Sequence, residues 1–182
     1  MIRVTLNEEN VQRAAELMKS CPNIVYRSAI AAINRAITTA KAETAKTVRE
    51  RYTVKSANVK RAFTVRKASG GSPRAEVIAK GFPLPLASFK YSRRKKGPVR
   101  VMVLKKGKMK PIRGLFFNRF PSGYTGPMHR RQKSKYPLAS PFGPSVPSMV
   151  RNEETLMPAA RAAAEMLNKR FLKEINRRLS NK

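Results

Sequence analysis

The chain has 182 residues and carries 40 Lys and Arg against 10 acids, a net charge of +30. A chain of this length is expected to form one domain and to bury roughly 70% of its unfolded surface. All ten acids are Glu; the absence of Asp removes aspartate catalysis and Asp-held magnesium, and one Cys with one His cannot complete a four-ligand zinc site.

The lone Cys21 allows no intrachain disulfide, so the fold does not depend on an oxidising compartment. Met1 to Glu9 lacks the basic-then-apolar order of a signal peptide, and the most apolar stretch, Ile30 to Ala42, is broken by Asn34, Arg35 and Lys41, so no membrane span is expected. The charge is local. Residues 1–52 hold 9 basic and 5 acidic residues and 153–182 hold 7 and 4, whereas 53–152 hold 24 and 1. Between Glu76 and Glu153 there is no carboxylate, so this region repels its own copies unless anions or acidic partners intervene.

In chain order, Asn7 before Glu8 and Glu9 reads as a helix N-cap with acids in the first turn, followed by Val11, Ala14, Ala15 and Met18 at helical spacing. Cys21-Pro22 ends that helix, and Pro22 suits the first turn of the next. Ile30, Ile33, Ile37, Ala40, Thr44 and Val48 then mark a long amphipathic helix to about Arg51. Ser56 is a candidate cap for a short helical turn. Phe63 to Lys67 alternates as a half-buried strand, Ser69 to Pro73 is a turn by composition, and Ala75 to Ala79 returns as its partner. Pro83 and Pro85 make Gly81 to Phe89 extended and irregular. Val99 to Val103 alternates again, and Pro111 to Phe117 is its expected antiparallel neighbour, with Lys105-Lys106-Gly107-Lys108 at the tip.

Residues 118–151 contain six prolines and three glycines, which predicts an extended arm or loops. After Asn152, the series Leu156, Ala160, Ala163, Leu167, Phe171, Ile175 and Leu179 predicts a final helix, which Pro158 either kinks or begins. The expected architecture is α+β in a single domain, 1–182. A helical part (1–52) packs its long helix on a small antiparallel sheet from a basic β-rich part (53–117), followed by a Pro/Gly-rich arm (118–151) and a C-terminal helix (152–182).

Chemistry-bearing sites are few. Cys21 beside a helix start and His129 can be written as a nucleophile and base, but no oxyanion motif or third orienting group accompanies them, and an apolar packing role for Cys21 is the simpler reading. No phosphate-binding glycine loop is present. No cofactor or metal site is therefore expected. The strongest charge motif is Arg93-Arg94-Lys95-Lys96, joined by Arg100 and by Lys105, Lys106, Lys108 and Lys110. If both clusters lie at related sheet edges they present one field to DNA or to an acidic lumen, the competing reading being solvated basic loops. Phe82, Phe89, Tyr91, Phe116, Phe117, Phe120 and Tyr124 interleave with these charges, and core packing is favoured over base stacking for them.

A series of segments resembles the prophage minor tail protein Z family. In the N-terminal half it comprises Ala32-Ile33-Asn34-Arg35-Ala36, Ala45-Lys46-Thr47-Val48-Arg49, Tyr52 and the stretch from Lys55 to Arg61. In the C-terminal half it comprises Pro111-Ile112-Arg113-Gly114-Leu115-Phe116-Phe117, Met128-His129-Arg130, Tyr136-Pro137-Leu138 and Gly143-Pro144-Ser145-Val146-Pro147-Ser148-Met149. The last string is the most specific, and the order of the series covers nearly the whole chain. Tyr124 to Arg130 departs from the glycine-rich, Val-Phe-containing segment of that family.

The resemblance implies a non-enzymatic virion protein of a long-tailed phage. It would complete the tail at its head-proximal end, in the neck, and help join tail to head around the DNA channel. It further implies a homo-oligomeric ring of six copies, with the tail terminator and a head-side connector as neighbours. Non-specific contact with channel DNA and residence in the host cytoplasm during assembly follow from that placement. Gly143, Pro144, Ser145, Val146, Pro147 and Met149 are then the candidate inter-subunit motif of the arm. The alternative reading is a free, non-specific nucleic-acid-binding protein associated with ribosomes or the nucleoid, which explains the charge but not the ordered series.

Overall fold

Asn7 opens the first helix, α1 (Glu8–Ser20), by accepting the amide of Asn10 on its side chain while Glu8 and Glu9 occupy the first turn. A carboxylate there meets the positive end of the helix dipole and an amide that has no partner inside the helix. The Cys21 amide donates to the Leu17 carbonyl at 2.7 Å, closing α1 where α2 (Pro22–Arg51) starts on its proline. The structure, a computed structural model, describes residues 4–92 and 98–180. It is an α+β protein in which a long N-terminal helix, small antiparallel sheets and a C-terminal helix follow one another.

Two compact units divide the chain: Met1–Thr47 with Phe63–Ile78 and Glu153–Lys182, and Val48–Ala62 with Ala79–Asn152. In the first unit, Val25, Ala32 and Ala36 of α2 share a core with Leu167, Phe171 and Ile175 of α5 (Glu153–Ser180). The deepest line of α2 in this unit runs through Val25, Ser28, Ala32, Ala36 and Thr44, one step round from the predicted stripe, whose Ile30, Ile33 and Ile37 are half-buried. Small side chains on that line let the large Phe171 and Ile175 fill the space between the helices. The two helices run antiparallel, since the Thr47 hydroxyl donates to the Thr155 carbonyl at 3.0 Å near one end while Val25 joins Phe171 and Ile175 near the other. Helix α5 passes through Pro158 in its first two turns.

Helix α1 docks on α5 through asparagines. The Asn7 amide donates to Asn168 Oδ1 at 2.9 Å, and the buried Asn10 donates its Nδ2 to the same oxygen at 3.1 Å. The main partner of the long helix in this core is thus a helix. A sheet partner is present as well: β1 (Phe63–Arg66) and β2 (Glu76–Ala79) form a two-stranded sheet. The turn between those strands is held on α2 by Asn34, whose Nδ2 donates to the Ala68 carbonyl at 3.0 Å and whose Oδ1 accepts the Ala68 amide at 2.8 Å. The Tyr26 hydroxyl adds a bond to the Gly70 carbonyl at 2.6 Å.

In the second unit, α3 (Ser56–Arg61) begins after Lys55, so Ser56 is its first helical residue and not its cap. A 3-10 turn, Leu86–Ser88, interrupts the proline-rich stretch expected to be irregular. It leads to a three-stranded sheet in which β3 (Lys90–Tyr91) and β5 (Lys110–Pro111) flank β4 (Arg100–Met102). The expected neighbour of β4 is therefore cut short. Gly114, at φ +76°, turns the chain into β6 (Phe116–Arg119), which belongs to another sheet.

The extended arm expected over 118–151 is instead folded. Strand β6 pairs antiparallel with β7 (Thr125–Arg130), which pairs with β8 (Leu138–Ala139), and α4 (Val146–Val150) follows. Its prolines are compatible with strands for a positional reason. Pro127 faces Phe117 in the part of β7 that pairs only with β6, and Pro111 lies on the edge strand β5, so neither needs an amide for a second neighbour. The stretch is tied back to the unit by the Leu86 amide on the Pro141 carbonyl at 2.9 Å and the Gly143 amide on the Leu84 carbonyl at 2.8 Å.

Candidate functional site

The folded chain sorts its charge. The second unit holds 23 Lys and Arg and a single carboxylate, Glu50, whereas the first holds 17 and 9. Self-neutralisation is impossible across the second unit, which makes its surface the candidate site for a polyanion or an acidic partner.

Within that unit, Arg100 starts β4 opposite Pro111, and Lys110 lies opposite Val101, so Lys110 shares the face of Val101 and lies on the other side of the sheet from Arg100. Lys90 faces Met102, which places it on the same sheet face as Arg100. Lys105, Lys106 and Lys108 are exposed in the turn between β4 and β5, beyond the end of β4 remote from Arg100. The sheet thus puts Lys90 and Arg100 on one face and Lys110 on the other, and separates the Lys105–Lys108 turn from Arg100 by the length of β4, about 10 Å at the usual rise per residue. Arg93, Arg94, Lys95 and Lys96 lie outside the described residues.

A second basic cluster was not singled out in the sequence. The end of β7 and its connection to β8 carry Arg130, Arg131, Lys133 and Lys135 within six residues, and the connection ends on Tyr136 and Pro137. All are exposed, and the Arg131 amide donates to the Pro137 carbonyl at 3.2 Å across the base of the turn. Arg130 lies over the Phe116 ring at 5.5 Å and Lys135 over the Tyr136 ring at 5.8 Å. The charge run was legible, but reading 118–151 as an arm left no turn to gather it.

The aromatic residues divide. Phe89 is buried, Tyr91 stacks on Phe117 at 6.2 Å between centroids, and Phe116, Phe117 and Phe120 are half-buried, in keeping with packing. Phe82 departs from this, at 90% exposed.

The Gly143-to-Met149 string is a capped turn inside its own unit. A Cβ on Gly143 would lie 2.8 Å from the Phe89 ring and 3.2 Å from Leu86, Ser145 accepts the Ser148 amide at 3.3 Å to start α4, and Val146 and Met149 are buried. Pro147 approaches Gly81, and Pro144 is half-buried. Val146 and Met149 of the candidate inter-subunit motif are thus covered within the chain itself.

Cys21 caps α1 in the first unit and His129 is in β7 of the second. Among the described residues no group of three or more His, Cys or Glu is arranged to hold a metal, and no helix is long and apolar enough to cross a membrane.

The segments that carry the family resemblance pair with one another in the folded chain. Phe116 faces Met128, and Arg130 faces Leu138, so three separate strings meet in the β6–β7–β8 sheet. The family model for prophage minor tail protein Z matches residues 8–182. No curated protein and no solved structure matches the chain. The match runs through α1, both basic turns, the Gly143-to-Met149 cap and α5, and on that coverage the chain belongs to the prophage minor tail protein Z family, structural proteins of the phage tail.

Proposed function

We propose that this tail protein is a tail-completion component at the head-proximal end of the tail. There it helps join tail to head around the DNA channel, in a homo-oligomeric ring of six copies that contacts the tail terminator and a head-side connector. Its action is geometric and not catalytic, and it assembles in the host cytoplasm before residing in the virion. The family assignment supports the tail, and the observation that carries the finer placement is the sorting of charge, with 23 cations against one carboxylate in a single unit. A surface of one sign facing a DNA-filled passage, or the acidic wall of an adjoining ring, gains attraction that is independent of sequence. Arg93, Arg94, Lys95, Lys96, Arg100, Lys105, Lys106, Lys108 and Lys110 are the residues proposed to meet that DNA or acidic wall. The Pro144 and Ser145 end of the capped turn remains the proposed inter-subunit contact, since Val146 and Met149 are buried.

The test is to purify intact particles, treat them with nuclease, wash in high salt and quantify this protein by mass spectrometry against a major tail protein. Retention at a fixed small copy number that is a multiple of six is expected. Loss with the nucleic acid overturns the neck placement and makes a free nucleic-acid-binding protein the primary reading.

A further inference from the structure

The β7–β8 turn differs from an ordinary charged loop in four respects. It presents Arg130, Arg131, Lys133 and Lys135 from one short turn closed by backbone pairing at its base, so the cations share one location. Its unit has only Glu50 as a carboxylate, and that residue is in the last turn of α2. Among the described residues, no ion pair engages Arg131, Lys133 or Lys135. Finally, Tyr136 is 63% exposed beside them, and its ring lies under Lys135.

A cation held over an aromatic face loses fewer conformations when it meets an anion than one on a free stem. Arg130 stacked on Phe116 acts similarly on the other side of the turn. The turn is therefore partly ordered before any partner arrives. A partner protein surface offers carboxylates among groups of both signs, whereas a duplex offers a negative charge about every 1.7 Å of axis. A unit with almost no carboxylate of its own fits the second.

We propose that the β7–β8 turn is a phosphate grip for double-stranded DNA, in which Arg131, Lys133 and Lys135 meet backbone phosphates while Tyr136 and Phe116 hold the outer cations in place. The choice of DNA as the polyanion rests on the neck reading above; the grip itself rests on the turn. Such contacts carry no base information, so binding is independent of DNA sequence.

The test is equilibrium binding of the full chain to short duplexes of unrelated sequence over a range of salt. The comparison is between wild type, the triple variant Arg131→Gln, Lys133→Gln, Lys135→Gln, and a charge-matched variant in α5, Arg161→Gln, Lys169→Gln, Lys173→Gln. Each lost phosphate contact lowers the slope of log affinity against log salt by about 0.9, so the turn variant is expected to lose about 2.7 and the α5 variant less than about 1. Both sets are exposed, and unchanged circular dichroism confirms that each variant is folded. Equal slopes for the two variants would reduce the turn to part of a diffuse field and overturn the proposal. Tighter binding of polyglutamate than of duplex DNA at equal charge would also overturn it, in favour of an acidic protein partner. The neck placement is read separately, from retention in washed particles, so either idea can fail without the other.

Discussion

Asn34 and Ala68 exchange two hydrogen bonds, at 3.0 and 2.8 Å, so that one side-chain amide on α2 reproduces the pairing of a strand for the turn between β1 and β2. A single residue in the middle of a helix thereby satisfies both backbone groups of a residue 34 positions away. Replacing Asn34 by Ala leaves that amide and carbonyl without their partners and is expected to cost about 1–3 kcal/mol. Asn34→Asp keeps the acceptor for the Ala68 amide but sets a carboxylate oxygen against the Ala68 carbonyl, so its cost should be at least as large when the two are compared by urea denaturation at neutral pH. Equal stability of wild type and Asn34→Ala would show that water replaces both bonds.

Gly143 is a packing position. Its α-carbon faces the Phe89 ring, and Phe89 is itself buried, so the ring has little room to move. Gly143→Ala is expected to lower stability by about 1–3 kcal/mol through overpacking. Gly70→Ala, with nothing within 4 Å of the added carbon, should stay within about 0.5 kcal/mol of wild type. Thermal unfolding of the two variants decides the matter, and a Gly143→Ala protein of normal stability that fails to oligomerise would restore this position to an inter-subunit contact.

Phe171 supplies the largest buried side chain of the helical core, at 1% exposed. Phe171→Ala should cost about 3–5 kcal/mol, and Ile175→Val about 0.5–1.5 kcal/mol, since the first opens a cavity between α2 and α5 and the second removes one methylene. Denaturant midpoints measured at constant m-value give both numbers. Comparable costs for the two would mean that the core collapses around the missing ring.

The run Arg93 to Lys96 is expected to be secondary to assembly. Replacing all four residues by Gln should leave tail completion near its normal yield while weakening DNA binding, with a salt slope smaller by about 0.9 for each phosphate contact removed. Complementation of a tail-defective phage, set beside DNA-binding isotherms, reads the two effects separately. Loss of completion by a folded variant would make these cations part of the assembly contact.

The helices could be read from the chain because their determinants are local. Asn7, Glu8 and Glu9 mark a start, Pro22 serves the opening of α2, and apolar residues at three- and four-residue spacing predict α2 and α5 from end to end. The facing line was harder to read, since Ser28 and Ala32 are buried more deeply than the isoleucines beside them, and burial of a small residue depends on what packs over it.

The strands show the same division more sharply. Residues Val99 to Val103 announce a strand by alternation, but nothing local says that Lys110-Pro111 will complete its sheet while Phe116 turns away to meet Met128. Proline density excludes helix, yet it does not exclude a strand whose missing amide has no neighbour to serve, as at Pro127. Composition likewise determined that the protein is strongly basic and has no Asp. Only the tertiary structure decided that Arg131, Lys133 and Lys135 share one turn and that 23 of the 40 cations share one unit with Glu50, because charge density depends on how distant segments are brought together.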